Sequence, residues 1–411
     1  MNRTSFGARF GTRKEWLATV FLFAMTVSNV VSAAGLTGLL RNGYQNFTIF
    51  YGAARMVRSG QSSVLYDLPA ESRAQEEFAP NVRIRQAALP YMHPPFEALL
   101  FVPFTFLPYV PAYLLWNFLN VVMVFVSMML LRRQFTEIGS LPLALVVLAA
   151  AGFPSVASGI VQGQDSSLLL LLFVIALVST ARGNDAAAGA ALGAGLFKFN
   201  LILPLAFLLA VKRPRLLLGF APVAALLGGV SLAMVGWQGA AGYVRFLFQL
   251  ENSGARGAIV GSDMPNLRGM LASLTGVHYG ASLMPLTIAC SVVVIAIALW
   301  RMASTRDSVR RDFILATVTA ILVSYHTFSY DLSLLLPVAL LLFASPLLAT
   351  REPESGLRSQ TDIVLLALLY LAPLFDPIWP HVNQFGWAVV VLSWFYWKFG
   401  RGGAAASTAG W

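Results

Sequence analysis

Lys198 stands between two short apolar runs in AGLFKFNLILP (194–204). An ammonium group at that depth needs a counter-ion, and no acid lies near it in sequence. Arg268 in MPNLRGM (264–270) adds a second cation, and His326 in SYHTFSYD (324–331) adds an imidazole. Three such groups on one rim have the chemistry to hold an anion, above all a phosphate carried by a lipid. For Lys198 the competing reading is a side chain that snorkels to the interface. Carboxylates able to take a proton follow in Asp67, in Glu97 of YMHPPFEALL (91–100), and in Asp331 at the end of the His326 motif. Each also has a plain structural use. His93 can cap the proline turn, Glu97 can serve a helix dipole, and Asp165 or Ser166 of GQDS (163–166) can cap a helix.

The polar stretch 42–70 separates two apolar runs. After Asn46, FTIFYGAARMVRSG places Phe47, Ile49, Phe50, Ala53, Ala54 and Val57 near a helical period, with Arg55 and Arg58 opposite and Gly60 as a stop. The pattern predicts an amphipathic helix over 47–59 in the membrane interface, aromatics down and arginines up. The alternative is a solvated lid helix with no part in chemistry. Tyr51 and Arg55 on this helix, with His93, Gln164 and Asp165, are candidate substrate contacts. The histidines are dispersed, the acids lack EF-hand or Asp-x-Asp spacing, and no phosphate loop or dinucleotide fingerprint occurs. Neither a metal nor a cofactor is expected.

The elements that must position these groups are membrane helices. The chain has 411 residues, 57% apolar and 11% charged, against about 25% charged in soluble domains. Long apolar runs recur from end to end without the alternation of a barrel. The fold class expected is an all-α polytopic integral membrane protein, a single domain over 1–411. Crossings are predicted near 16–38, 113–131, 141–159, 166–181, 186–198, 200–211, 216–236, 281–300, 312–328, 333–349, 361–376 and 384–398, about twelve in all. The runs flanking Lys198 are short enough to form a V, and the proline-rich 95–111 reads as a re-entrant or interfacial hairpin. Long exoplasmic loops are expected at 41–95 and 237–280. The first helix reads as a retained span, despite the signal-like VSAA at 31–34. Cys290 has no partner for a disulfide.

Charge sets the orientation. One face collects 18 of the 28 basic residues against 8 of the 18 acids, so the whole net charge of +10 lies there. That face is cytoplasmic by the positive-inside rule and holds both termini, in a multi-pass protein of the cell membrane. The basic balance is thus an orientation signal, with no nucleic-acid partner implied. The polar motifs, including His93, His278, His326 and His381, fall on the opposite, exoplasmic rim.

In order, NFTIFYGAARMVRSGQSSVLYD, LPYMHPPFEALLFVPFTFLP, VQGQDSSLLLLL, AGLFKFNLILPLAFLLAVKR and SYHTFSYDLSLLLP resemble the family 87 membrane glycosyltransferases of the GT-C superfamily. Polyprenyl-phosphate-mannose α-1,2-mannosyltransferases are among that family. The resemblance covers most of the chain and implies a GT-C-like bundle. It also implies inverting transfer of a sugar, mannose or a similar hexose or pentose, from a polyprenyl-phosphate donor. The acceptor would be a lipid or cell-envelope glycan on the exoplasmic side, among membrane lipids. The family's general base, an Asp soon after the first helix, falls on Asn46, where this chain reads NF for DF. An amide cannot take that proton, so Asp67, Glu97 or Asp331 must substitute or activity is altered or lost. Lys198, Arg268 and His326 would stabilise the leaving phosphate. Two other readings stay open: a non-catalytic binder of lipid-linked sugar, and a transporter or flippase, although no internal repeat is seen.

Overall fold

The computed structural model describes residues 13–35, 45–78, 89–252, 261, 264–277, 281–304, 308–348, 367 and 370–371. Among these every regular element is helical. The predicted crossings 361–376 and 384–398 lie almost wholly outside the described residues, as do His278 and His381.

Helix α1 (Arg13–Gly35) is followed by α2 (Phe47–Arg58), α3 (Leu68–Glu76), α4 (Pro95–Phe101) and α5 (Tyr109–Gln134). Two bent pairs come next. α6 (Leu143–Ala151) meets α7 (Pro154–Gln162) at 60°. The bend falls where Phe153, forced out of the helical region by Pro154, turns extended. Beyond α8 (Ser166–Ala181), α9 (Asp185–Ala194) and α10 (Phe199–Lys212) form the expected V, bent by 64° with Lys198 at its elbow. The remaining helices are α11 (Leu217–Asn252, broken at Gly236), α12 (Leu267–Thr275), α13 (Met284–Ala303), α14 (Val309–Val323) and α15 (Leu335–Leu348).

Among the described residues, four helices can cross a membrane by length and composition, or six if each bent pair is one span. The expected twelve are not all found among these residues. Several predicted crossings, such as 166–181, are apolar helices too short to pass the same test. Within the expected loop 237–280, the described residues include helix: α11 continues to Asn252 and α12 spans Leu267–Thr275.

Bilayer helices gain little from burying apolar surface against one another, so close packing must come from small residues. Gly189 and Gly193 of α9 supply it. A Cβ on Gly189 would run into the Leu216 carbonyl, and one on Gly219 of α11 into that of Ala186. The two backbones touch.

α2 forms where its periodicity predicted it, but it does not lie on lipid. All of its residues except Arg55, Val57 and Arg58 are buried. Phe47, Phe50 and Tyr51 pack on the rings of Phe101 and Tyr109. The proline-rich hairpin explains why. It becomes α4 and a 3-10 turn (Val102–Phe106) that ends at Leu107. Arg58 donates to the Thr105 carbonyl at 2.6 Å and the Tyr51 hydroxyl to that of Leu107 at 2.7 Å. The hairpin's backbone is satisfied by protein, as irregular backbone in an apolar setting requires.

α3 holds the extended segment leading to His93. Gln75 exchanges two hydrogen bonds with Leu89, and Glu71 Oε2 accepts from the Tyr91 N–H at 2.9 Å. Glu71 Oε1 is buried without a hydrogen bond. Burial, assisted by Asp67 and opposed by the Tyr91 N–H, pushes the Glu71 carboxyl up to about 8. The folded state therefore keeps a proton that the unfolded chain releases near pH 4.5. Stability from this group is complete below that pH and is lost as pH rises towards 8. Glu71→Gln, which mimics the protonated form, should flatten the fall in melting temperature between pH 5 and 8. An unchanged slope would show that Glu71 is not its source.

Candidate active site

A cavity of about 340 Å³ opens where five chain segments meet. Asn46 enters from the start of α2, His93 from the segment held by α3, and Gln162 and Gln164 from the turn between α7 and α8. Lys198 and Asn200 come from the elbow of the V, and Tyr325 to Asp331 from the stretch after α14.

The α7–α8 turn depends on Gly163. It ends α7 in the left-handed region at φ 61°, and the N–H of Gln164 returns to the Gly159 carbonyl. A Cβ there would stand 2.8 Å from that of Phe47, so only glycine lets α2 approach. Trp116 Nε1 donates to the Gly163 carbonyl at 3.0 Å, and the Asn46 N–H to Gln162 Oε1 at 3.2 Å. The turn thus aims Asp165 inward. Its side chain makes no cap bond to α8.

Lys198 has the counter-ions its neighbourhood in sequence lacks. Its ammonium is 3.2 Å from Asp165 Oδ1, 3.3 Å from Asp331 Oδ1, and 5.0 Å above the Tyr330 ring. Asp331 Oδ2 accepts the Phe328 N–H at 2.9 Å, closing the 3-10 turn Ser329–Leu334. On the other side of Asp165, Oδ2 is 3.8 Å from His93 Nδ1, which lies 2.7 Å from Glu97 Oε2. Lys198, Asp165, Asp331 and Glu97 are all buried. One ammonium faces two buried carboxylates, with Glu97 a third buried acid beyond His93, an arrangement costly in an apolar setting and characteristic of function.

Fold, not spacing, gathers His93, Glu97 and Asp165, whose ligand-type atoms lie within 4.8 Å of one another. The ammonium of Lys198 already supplies a cation to Asp165, and Glu97 already meets His93 Nδ1. Ion-pair contacts connect these residues to one another and to Lys198.

The remaining sequence candidates divide. Asn46, Gln164 and His326 line the cavity. Arg268 stands behind its wall, donating to the Tyr325 carbonyl at 3.2 Å. Asp67 instead caps α3, accepting the Ala70 N–H at 2.8 Å. Arg55 pairs with Glu77 at 2.6 Å, and Tyr51 is spent on the hairpin, so neither is a wall residue. Sequence reading passed over Gln162, Asn200 and Tyr330. Asn200 donates to Ser324 Oγ and to the His326 carbonyl, tying α10 to the far wall. The Asn46 side chain hydrogen-bonds the Tyr330 hydroxyl. The only signal for Asn200 was its place two residues after Lys198.

Amides, hydroxyls and aromatic faces around one cation suit a polyhydroxylated ligand with an anionic group. A family model described as Glycosyltransferase family 87 matches residues 91–324, more than half of the 411. No curated protein and no solved structure matches the chain.

Proposed function

The chain belongs to glycosyltransferase family 87, and from that premise we propose that it moves a mannose or similar sugar from a polyprenyl-phosphate donor to a hydroxyl of a glycolipid or cell-envelope glycan. Transfer takes place in the cavity beside Asn46, on the exoplasmic side, with inversion at the anomeric carbon. The protein is a membrane enzyme with a GT-C-like bundle.

The observation that carries this reading is the Lys198 network at the elbow of a bent apolar helix pair. A lipid-borne donor explains why a polar cavity is built among apolar helices. Its phosphate needs charge stabilisation as the glycosidic bond breaks. An ammonium has three donors, and Lys198 gives two directions to Asp165 and Asp331. The third is left for the leaving oxygen, with His326 lining the same cavity and Arg268 behind its wall. The amides of Asn46, Gln164 and Asn200 are suited to sugar hydroxyls.

Asn46 at the family's base position favours a second reading, a binder of lipid-linked sugar that transfers nothing. Protein purified into lipid nanodiscs, given polyprenyl-phosphate mannose and a glycolipid acceptor, separates the two. Mass-tagged sugar should appear on the acceptor. Saturable donor binding without transfer would leave the binder.

A further inference from the structure

We infer that His93, backed by Glu97, is the general base that the amide at position 46 cannot be. This rests on the glycosyl-transfer reading above and assigns the proton that reading leaves without a destination.

An inverting displacement at a sugar carbon needs a group to take the proton of the attacking hydroxyl. The ionisable groups on the cavity wall are few. Lys198 is an ammonium held by two carboxylates. Asp331 has Oδ1 at 3.3 Å from that ammonium and Oδ2 on the Phe328 N–H, so both oxygens are engaged. Lys198 opposes an imidazolium at both His326 and His93, and Arg268 adds to it at His326. His93 differs in having two carboxylates beside its ring.

Its Nδ1 lies 2.7 Å from Glu97 Oε2, with Asp165 Oδ2 at 3.8 Å on the same edge of the ring. A carboxylate oxygen this close to Nδ1 favours a proton on that nitrogen, which leaves the lone pair on Nε2 at the opposite edge, and stabilises the imidazolium formed on protonation. Glu97 is fully buried while His93 is 13% exposed, and His93 lines the cavity. The Phe50 ring, edge-on at 4.9 Å, fixes the imidazole plane, and Pro94 and Pro95 stiffen the link to Glu97. Burial and then Lys198 hold His93 down to about 4, against Asp165 and Asp331, so the free imidazole is neutral near pH 7.

The step balances. The acceptor oxygen forms its bond to the anomeric carbon as its proton passes to His93 Nε2. The bond from that carbon to the phosphate oxygen breaks, and the electron pair leaves on the phosphate. The imidazolium faces Glu97 until solvent takes the proton after product release. Asn46 is left to orient the acceptor hydroxyl.

The test uses the full chain in nanodiscs with polyprenyl-phosphate mannose. His93→Gln should lower kcat by about 10²–10⁴-fold, the usual span for a general base. The donor KM should stay within about threefold, since the base acts in the transition state and not in donor binding. Glu97→Gln should lower kcat less and move the acid limb of its pH profile to lower pH, because the imidazole becomes a weaker base. Asn46→Asp placed in the His93→Gln background should recover at least tenfold, by returning a carboxylate to the family's position. His93→Gln that keeps kcat within threefold of the natural protein would overturn the assignment, as would a pH profile unmoved by Glu97→Gln. If the natural protein itself transfers nothing, the functional reading fails first. If it transfers and His93→Gln does as well, only the base is wrong.

Discussion

Replacing Lys198 by methionine should destabilise the protein by about 3–5 kcal/mol, the usual cost of removing one partner from a buried charge pair. Asp165 and Asp331 would be left buried without the ammonium that lies within 3.3 Å of each. On sequence alone Lys198 looked like a cation for a lipid-borne phosphate. Its two carboxylates give it a part in the fold as well. Thermal unfolding in detergent, read by intrinsic fluorescence, measures the loss. Adding Asp165→Asn and Asp331→Asn to Lys198→Met should return much of the lost stability, because the stranded charges are then gone. Lys198→Met melting within a degree or two of the natural protein would show that the network is not held by this ion.

Gly189→Val should be as damaging by a different route. The α9 and α11 backbones touch at Gly189 and Gly219, and even a methyl group at Gly189 meets the Leu216 carbonyl. Relief requires the helices to part. Overpacking a well-filled contact costs about 1–3 kcal/mol and more where backbone must move. The expectation here is the upper end or beyond, read as loss of a folded peak in size-exclusion chromatography and a lower melting temperature. Gly228→Ala is the matched control. It lies in the same α11 with nothing within 4 Å of its added Cβ. That change should be neutral or should stabilise by up to about 1 kcal/mol through helix propensity. Equal effects at the two positions would refute a packing origin.

The helices were legible because apolar runs and their proline breaks are local signals. The V at Lys198, the α2 period and the proline hairpin all follow from residues adjacent in sequence. What covers α2 was not legible. Its aromatic face suits lipid or protein equally, and the choice is made by hairpin carbonyls about fifty residues away that accept from Tyr51 and Arg58. The site was half legible for the same reason. A lysine in an apolar run announces itself, but its partners Asp165 and Asp331 are neighbours only in space. Asp67 looked as promising as either and caps a helix. The family match, ending at residue 324, also stops before Asp331 and begins after Asn46. Both walls of the cavity beyond those limits are this chain's to show.

The spacing of the Lys198 partners has a meaning for biogenesis. Asp165 precedes Lys198 and Asp331 follows it by about 130 residues. At about 5–20 residues per second of synthesis, the ribosome needs about 7–27 seconds to travel from Lys198 to Asp331. During that interval Asp165 is the one of Lys198's two counter-ions already synthesised. Lys198 and Asp165 can enter the bilayer as a pair, at less cost than either would bear alone. Asp331 arrives last and completes the network with the turn that carries Phe328 and Tyr330. A ribosome stalled before that point exposes a nascent chain whose helices are inserted and whose cavity lacks a wall. Docking of that late 3-10 turn therefore closes the cavity wall.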